Sequence, residues 1–156
     1  MKFWKNLLFF ALLSAMLFSI CGCLSKQGEK TPTSYATLGE LSEAVGYSVN
    51  TPMYIPGKDY TETYTDLGEG VAEIVYQNSG QTIVFTMVNQ PNQDLLGDLS
   101  EYPEEYESTC RGYSIPLYGK DGVAYVSQWS ENNKTFAMRF TVGVTPELFD
   151  EIIMGV

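Results

Sequence analysis

The chain has 156 residues, nine Lys and Arg against nineteen Asp and Glu, no histidine, and a formal net charge of -10. Without histidine it has no Ser-His-Asp or Cys-His catalysis and no histidine-ligated metal, and so acidic a chain lacks the clustered Lys and Arg that neutralise nucleic-acid phosphates. Hydrophobic residues at 44% and aromatics at 13% suit one folded domain, not a disordered chain.

Lys2 and Lys5 precede an uninterrupted apolar and small-residue run over 7–20, LLFFALLSAMLFSI. A positive stretch followed by a run shorter than the ~20 residues of a spanning helix reads as a signal peptide. Behind it, Ile20-Cys21-Gly22-Cys23 resembles a bacterial lipobox, with a small residue before the cysteine that receives lipid. Cys23 fits because Gly22 precedes it; Cys21 fits poorly, since bulky Ile20 precedes it. A CxC metal or redox pair is the competing reading, but no second ligand cluster completes it. The expectation is a signal peptide over 1–22, a palmitate-type anchor on Cys23, and residence on the extracytoplasmic side of a bacterial cell membrane. Cys110 is then the thiol of the folded part, no intramolecular disulfide is possible, and the hydrophobic core must hold the domain.

Residues 24–34 (LSKQGEKTPTS) are polar, with Gly and Pro and no apolar period, so 23–35 reads as lipidated cysteine and flexible tether and 36–156 as one domain. Thr37-Leu38-Gly39-Glu40 has the spacing of a capping box. Leu38, Leu41 and Val45 follow at helical spacing and Gly46 sits at the C-cap, predicting a short helix over 38–45. Residues 47–60, with Pro52 and Pro56, predict an extended strand-like lead and then irregular chain. Strands are predicted over 71–77 and 82–88 around Asn78-Ser79-Gly80, and over 113–118 and 123–129 around an Asp121-Gly122 turn. After a turn at Glu131-Asn132-Asn133, Phe136, Met138, Phe140 and Val142 alternate with Ala137, Arg139 and Thr141, the period of a strand. Thr145-Pro146-Glu147 then opens a helix carrying Leu148, Phe149, Ile152 and Ile153. The fold class is α+β: an antiparallel meander of about six strands, a short N-terminal helix, and a C-terminal helix packed on the sheet. Trp129 is expected beneath that last helix, against Phe136, Phe140 or Ile152.

Between the hairpins, 89–109 reads as a long acidic connection. Asp94, Asp98 and Glu101 are weak candidates for Ca²⁺, which takes clustered carboxylates; no EF-hand spacing occurs, so solvated negative surface is the simpler reading. Cys110 beside Arg111 is either an activated thiolate or a packing residue; the missing histidine favours packing. Tyr102, Tyr106, Tyr113, Tyr118 and Tyr125 either line a ligand surface or pack as ordinary strand residues.

Ala44-Val45-Gly46-Tyr47, Pro52, Pro56, Ile74-Val75-Tyr76, Gly97 in DLLGDLSEY, and Gly119 and Gly122 before the Trp129 strand form an order of motifs. Over about residues 37–156 it resembles domain of unknown function 4367, found in lipoproteins and anti-sigma-type regulators of Firmicutes. These motifs are turn glycines, prolines and core aromatics, so the resemblance implies a fold and carries no catalytic residue, and the chain lacks the further segments of the anti-sigma members. The reading is a lipid-anchored, non-enzymatic binding or sensing module without a cofactor. Its membrane attachment is through Cys23 and its partner, given the charge, is a cationic protein or peptide. The alternative is a carboxylate-dependent hydrolase or carbohydrate-active enzyme, which needs two acids across a cleft. A third reading is a structural envelope accessory.

Overall fold

The computed structural model describes residues 31–110 and 112–156, so the run 7–20 and the lipobox-like string at 20–23 lie outside the described residues. Strand β1 (Thr33–Tyr35) leads into helix α1 (Leu38–Val45). The Thr37 hydroxyl accepts from Glu40 N at 3.2 Å, and the Glu40 carboxylate reaches back to accept from Ala36 N at 2.9 Å, satisfying two backbone donors that a helix start leaves open. Gly46 ends the helix at φ 81°, where a side chain would be strained. Helix α2 (Pro146–Ile153) begins as its sequence predicts, with Thr145 Oγ1 accepting from Leu148 N at 3.3 Å and proline in the first turn. Among the described residues, no helix is long and apolar enough to cross a membrane.

Seven further strands follow β1: β2 (Thr61–Gly68), β3 (Val71–Gln77), β4 (Thr82–Val88), β5 (Glu104–Cys110), β6 (Tyr113–Lys120), β7 (Val123–Glu131) and β8 (Lys134–Val144). They form one antiparallel sheet in the order β1-β2-β3-β4-β8-β7-β6-β5. The architecture is thus two four-stranded meanders joined where β4 pairs with β8, from Ile83↔Phe140 to Val88↔Thr135. The turns follow their side chains. Asn78 Oδ1 accepts from Gly80 N and Gln81 N, both at 2.9 Å, and Asp121, Gly122, Asn132 and Asn133 all take positive φ, as tight hairpins require.

One sheet face carries the core. Ile74, Ile83, Phe85, Met87, Leu117 and Met138 are fully buried there, and Leu41 of α1 joins Phe149, Ile152 and Ile153 of α2 in the same cluster. Each such side chain contributes roughly 1.5–3 kcal/mol on burial. Phe149 meets Phe140 edge-on at 5.0 Å. Residues 46–60 fill the space beside the helices: Val49 is buried, Met53 N bonds Gly155 O at 2.8 Å, and the Tyr47 hydroxyl shares its proton between the Gly70 and Met87 carbonyls. Burial pushes that phenol up to about 12, so it stays a donor. On the opposite face the connection 89–103 lies over β7 and β8, its backbone caught by outward polar side chains. Thr135 Oγ1 donates to Gln90 O at 2.7 Å, Gln128 Oε1 accepts from Leu95 N at 2.8 Å, and Arg139 donates to Leu96 O.

The expectation of an α+β fold with two helices holds, but the sheet has eight strands where about six were expected, and it is two meanders instead of one. Residues 47–60 form no strand; their prolines and the bonds just described serve as cover for the core. β1 falls in the last residues of the segment read as spacer. β2 (TETYTDLG) and β5 (EEYESTC) carry Glu, Asp or Gly among their Thr and Tyr, and those acids and the glycine lower their strand propensity. β5 also shortens the long connection, which ends before Glu104. Glu105 and Glu107 lie on the exposed side of this edge strand, where charge discourages pairing with another sheet. Val142 is 54% exposed while Val144 is buried, because the pairing of β8 with β7 shifts between Ala124 and Val126.

Candidate functional site

The carboxylates singled out in the sequence serve their own loop. Asp94 Oδ1 accepts from Leu96 N at 3.0 Å and Gly97 N at 3.1 Å, and these backbone bonds hold its pKa below the usual carboxylate value. Asp98 accepts from Ser100 N and Ser100 Oγ, with the same downward direction. Glu101 is exposed. Among the described residues, no group of three or more His, Cys, Asp or Glu stands close enough to hold a metal ion. Cys110 is 3% exposed and belongs to the main core cluster. Tyr106 donates to Glu104, and Tyr113 is 55% exposed. Tyr102 and Tyr125 stack at 5.5 Å on the outer face, with Tyr118 beside them.

One cleft lies inside the sheet. β5 and β6 pair from Glu104↔Gly119 through Cys110↔Tyr113, and β7 pairs with β8 as far as Glu131↔Lys134. Between β6 and β7, however, the pairs begin at Lys120↔Val123 and stop at Leu117↔Ser127. Residues 113–116 and 128–131 are therefore strands with no ladder between them. Pro116 stands where the ladder ends. It has no N–H to give, and its carbonyl accepts from Ser127 Oγ at 2.8 Å. The opening is a cleft of about 380 Å³. Buried Ile115, Trp129 and Ile153 make its base, and Tyr113, Ser130 and Glu131 line it nearer solvent. Trp129 is 8% exposed and stacks on Phe136 at 5.4 Å, so its indole is fixed in place. Unpaired strand edges are templates for another strand, and an apolar base gives a side chain somewhere to go.

Trp129 was legible as a core residue, and its stacking on Phe136 agrees with the expectation. Its place at the base of a cleft was not legible. The available signal was Pro116 inside a strand pattern, a residue that interrupts ladders. No family model matches the chain, and comparison with curated proteins and with solved structures finds no match either.

Proposed function

We propose that this protein is a lipid-anchored, extracytoplasmic module of the bacterial cell membrane that binds an extended peptide segment between β6 and β7 without transforming it. The observation that carries the reading is the ladder that stops at Leu117↔Ser127 above a fixed indole. A bound segment gains main-chain hydrogen bonds from the two open edges and places a side chain against Trp129. Acidic surroundings favour a cationic segment: the chain is at -10 overall, Glu131 lines the cleft, and Glu105 and Glu107 stand on the neighbouring edge strand. Two-carboxylate hydrolysis has less support here, because Glu131 is the acid among the described lining residues and that chemistry requires a pair. The lipobox-like string at Cys23 supports the address.

Selection from a random linear peptide library tests it. Basic sequences with alternating apolar residues should be enriched, and should lose binding to Pro116→Val, which restores a backbone donor and a strand-forming side chain where the ladder stops. Equal recovery on wild type and Pro116→Val, or enrichment of acidic sequences, overturns the proposal.

A further inference from the structure

On the outer face a second depression, of about 330 Å³, shares no lining residue with the β6–β7 cleft. It exists because of a bulge. Tyr118 pairs with Val126 and Gly119 with Ala124, so Tyr125 is an extra residue that points outward beside Val126. Glycines on either side leave the backbone of the bulge and the Tyr125 ring their room. A Cβ at Gly119 would stand 2.0 Å from the Val123 carbonyl oxygen, and one at Gly143 would stand 2.8 Å from the Tyr125 ring. Tyr102, arriving from the connection 89–103, stacks on that ring at 26°.

Two cations converge on this spot. The Lys120 ammonium sits 5.5 Å from the Tyr125 ring centre and 5.7 Å from that of Tyr102, a cation–π distance for both. Arg139, opposite Val84 in the β4–β8 register, lines the same depression. One of its donors goes to the Leu96 carbonyl and its charge also attracts the Asp94 carboxylate; a guanidinium has five donors. Nine basic residues against nineteen acidic ones repel an anion from most of this protein, so two of those nine facing one depression make a local exception. The aromatic pair holds the ammonium in position before any ligand arrives, which lowers the ordering cost of binding. Val84 and the tyrosine rings supply apolar surface, Thr82 a hydroxyl, and the volume suits one sugar-sized ring.

We infer that this depression is a binding site for an acidic sugar, its carboxylate held by Lys120 and Arg139 and its ring placed against Tyr102 and Tyr125. The test uses the full chain in neutral detergent, with saturation-transfer NMR on glucuronate and glucose and with inorganic phosphate added as a competitor. Glucuronate should bind saturably, weaken as NaCl is raised, and outcompete both glucose and phosphate. Lys120→Met keeps the aliphatic stem and removes the charge, and should weaken glucuronate about tenfold or more, the effect of one charge-assisted hydrogen bond. Lys120→Arg should restore most of the loss. No saturable glucuronate binding, or glucuronate bound equally by Lys120→Met, overturns the site. Glucose bound as well as glucuronate overturns the role of charge, and phosphate displacing glucuronate at equal concentration overturns recognition of the ring. If Lys120 and Arg139 only secure the connection 89–103, Lys120→Met lowers the melting temperature and glucuronate leaves both proteins unshifted.

Discussion

Trp129 joins structure to proposed function at the scale of one side chain. Its indole stacks on Phe136 on one side and lines the β6–β7 cleft on another, so truncation removes packing and a binding wall together. Trp129→Ala should cost on the order of 3–5 kcal/mol in a denaturant titration; wild-type stability in that variant would mean the register around it is wrong. Cys110, 3% exposed within the core cluster, should resist a small alkylating reagent at neutral pH. Cys110→Ala should lower stability by about 1 kcal/mol, and rapid alkylation of the native thiol would contradict the packing role. Glu104 does a different job. Its carboxylate accepts from Tyr106 and from the N–H groups of Gly122 and Asp121, at 3.0 and 3.1 Å, so it secures the β6–β7 turn from the adjacent strand. The Tyr106 hydrogen bond, then those backbone bonds, hold its pKa below the usual value. A depressed folded-state pKa stabilises fully above the unfolded carboxylate value of ~4.3, and the contribution is lost as pH falls through the folded value. Glu104→Gln should therefore melt below wild type near neutral pH, and the two melting curves should converge under acid.

The bulge in β7 and the stop in the β6–β7 ladder are features of elements, and each turns on one backbone requirement. At Gly119 the nearest atoms to an added Cβ are backbone, with Val123 O at 2.0 Å. At Gly143 they are the side chains of Val123 and Tyr125, which can shift. Gly119→Ala should consequently cost about 1–3 kcal/mol, as overpacking does. Gly143→Ala should cost less but displace the Tyr125 ring from Tyr102, read as a change in near-ultraviolet circular dichroism. A larger stability loss at Gly143 than at Gly119 would contradict this assignment of the close contacts. Edge strands show a second regularity. β1 spans only Thr33–Tyr35 and β5 carries Glu105 and Glu107 on its exposed side; a short edge and a charged edge are two ways of preventing sheet-to-sheet association. The composition that protects β5 is also what hid it from a reading of strand propensity.

For the whole molecule the decisive question is attachment. No helix among the described residues is long and apolar enough to cross a membrane, and anionic headgroups repel so acidic a chain. Under the proposed reading, lipid on Cys23 supplies the attachment. Each buried methylene contributes ~0.8 kcal/mol, and two or more acyl chains make it stable. Residues 24–32 reach at most ~30 Å when extended, so under this reading β1 stays near the membrane surface. Labelling with a fatty-acid analogue should mark wild type and Cys21→Ser, but not Cys23→Ser, which should also retain its signal peptide. Label that persists in Cys23→Ser but vanishes in Cys21→Ser would reassign the lipidated residue, and unlabelled wild type would remove the lipoprotein reading.

Local chemistry by itself determined the parts of this protein whose structure depends on near neighbours. The Thr37 and Thr145 caps, the Asn78 and Asp121-Gly122 turns, and the alternation of Ile83, Phe85 and Met87 act within a few residues, so the string of letters contains them. Pairing partners act across the chain. That β4 joins β8, that the acid-bearing β2 and β5 are strands, and that residues 47–60 cover the core depend on which edges lie alongside. A strand of weak propensity is held by its neighbours. Both clefts belong to this second class. Tyr125 meets Tyr102 and Lys120 because a bulge turns one residue outward, and Trp129 has open space beside it because Pro116 ends a ladder whose partner strand begins seven residues further on, at Val123. Composition named the residues; the register between strands, set by burying one face of an eight-stranded sheet, decided which of them meet.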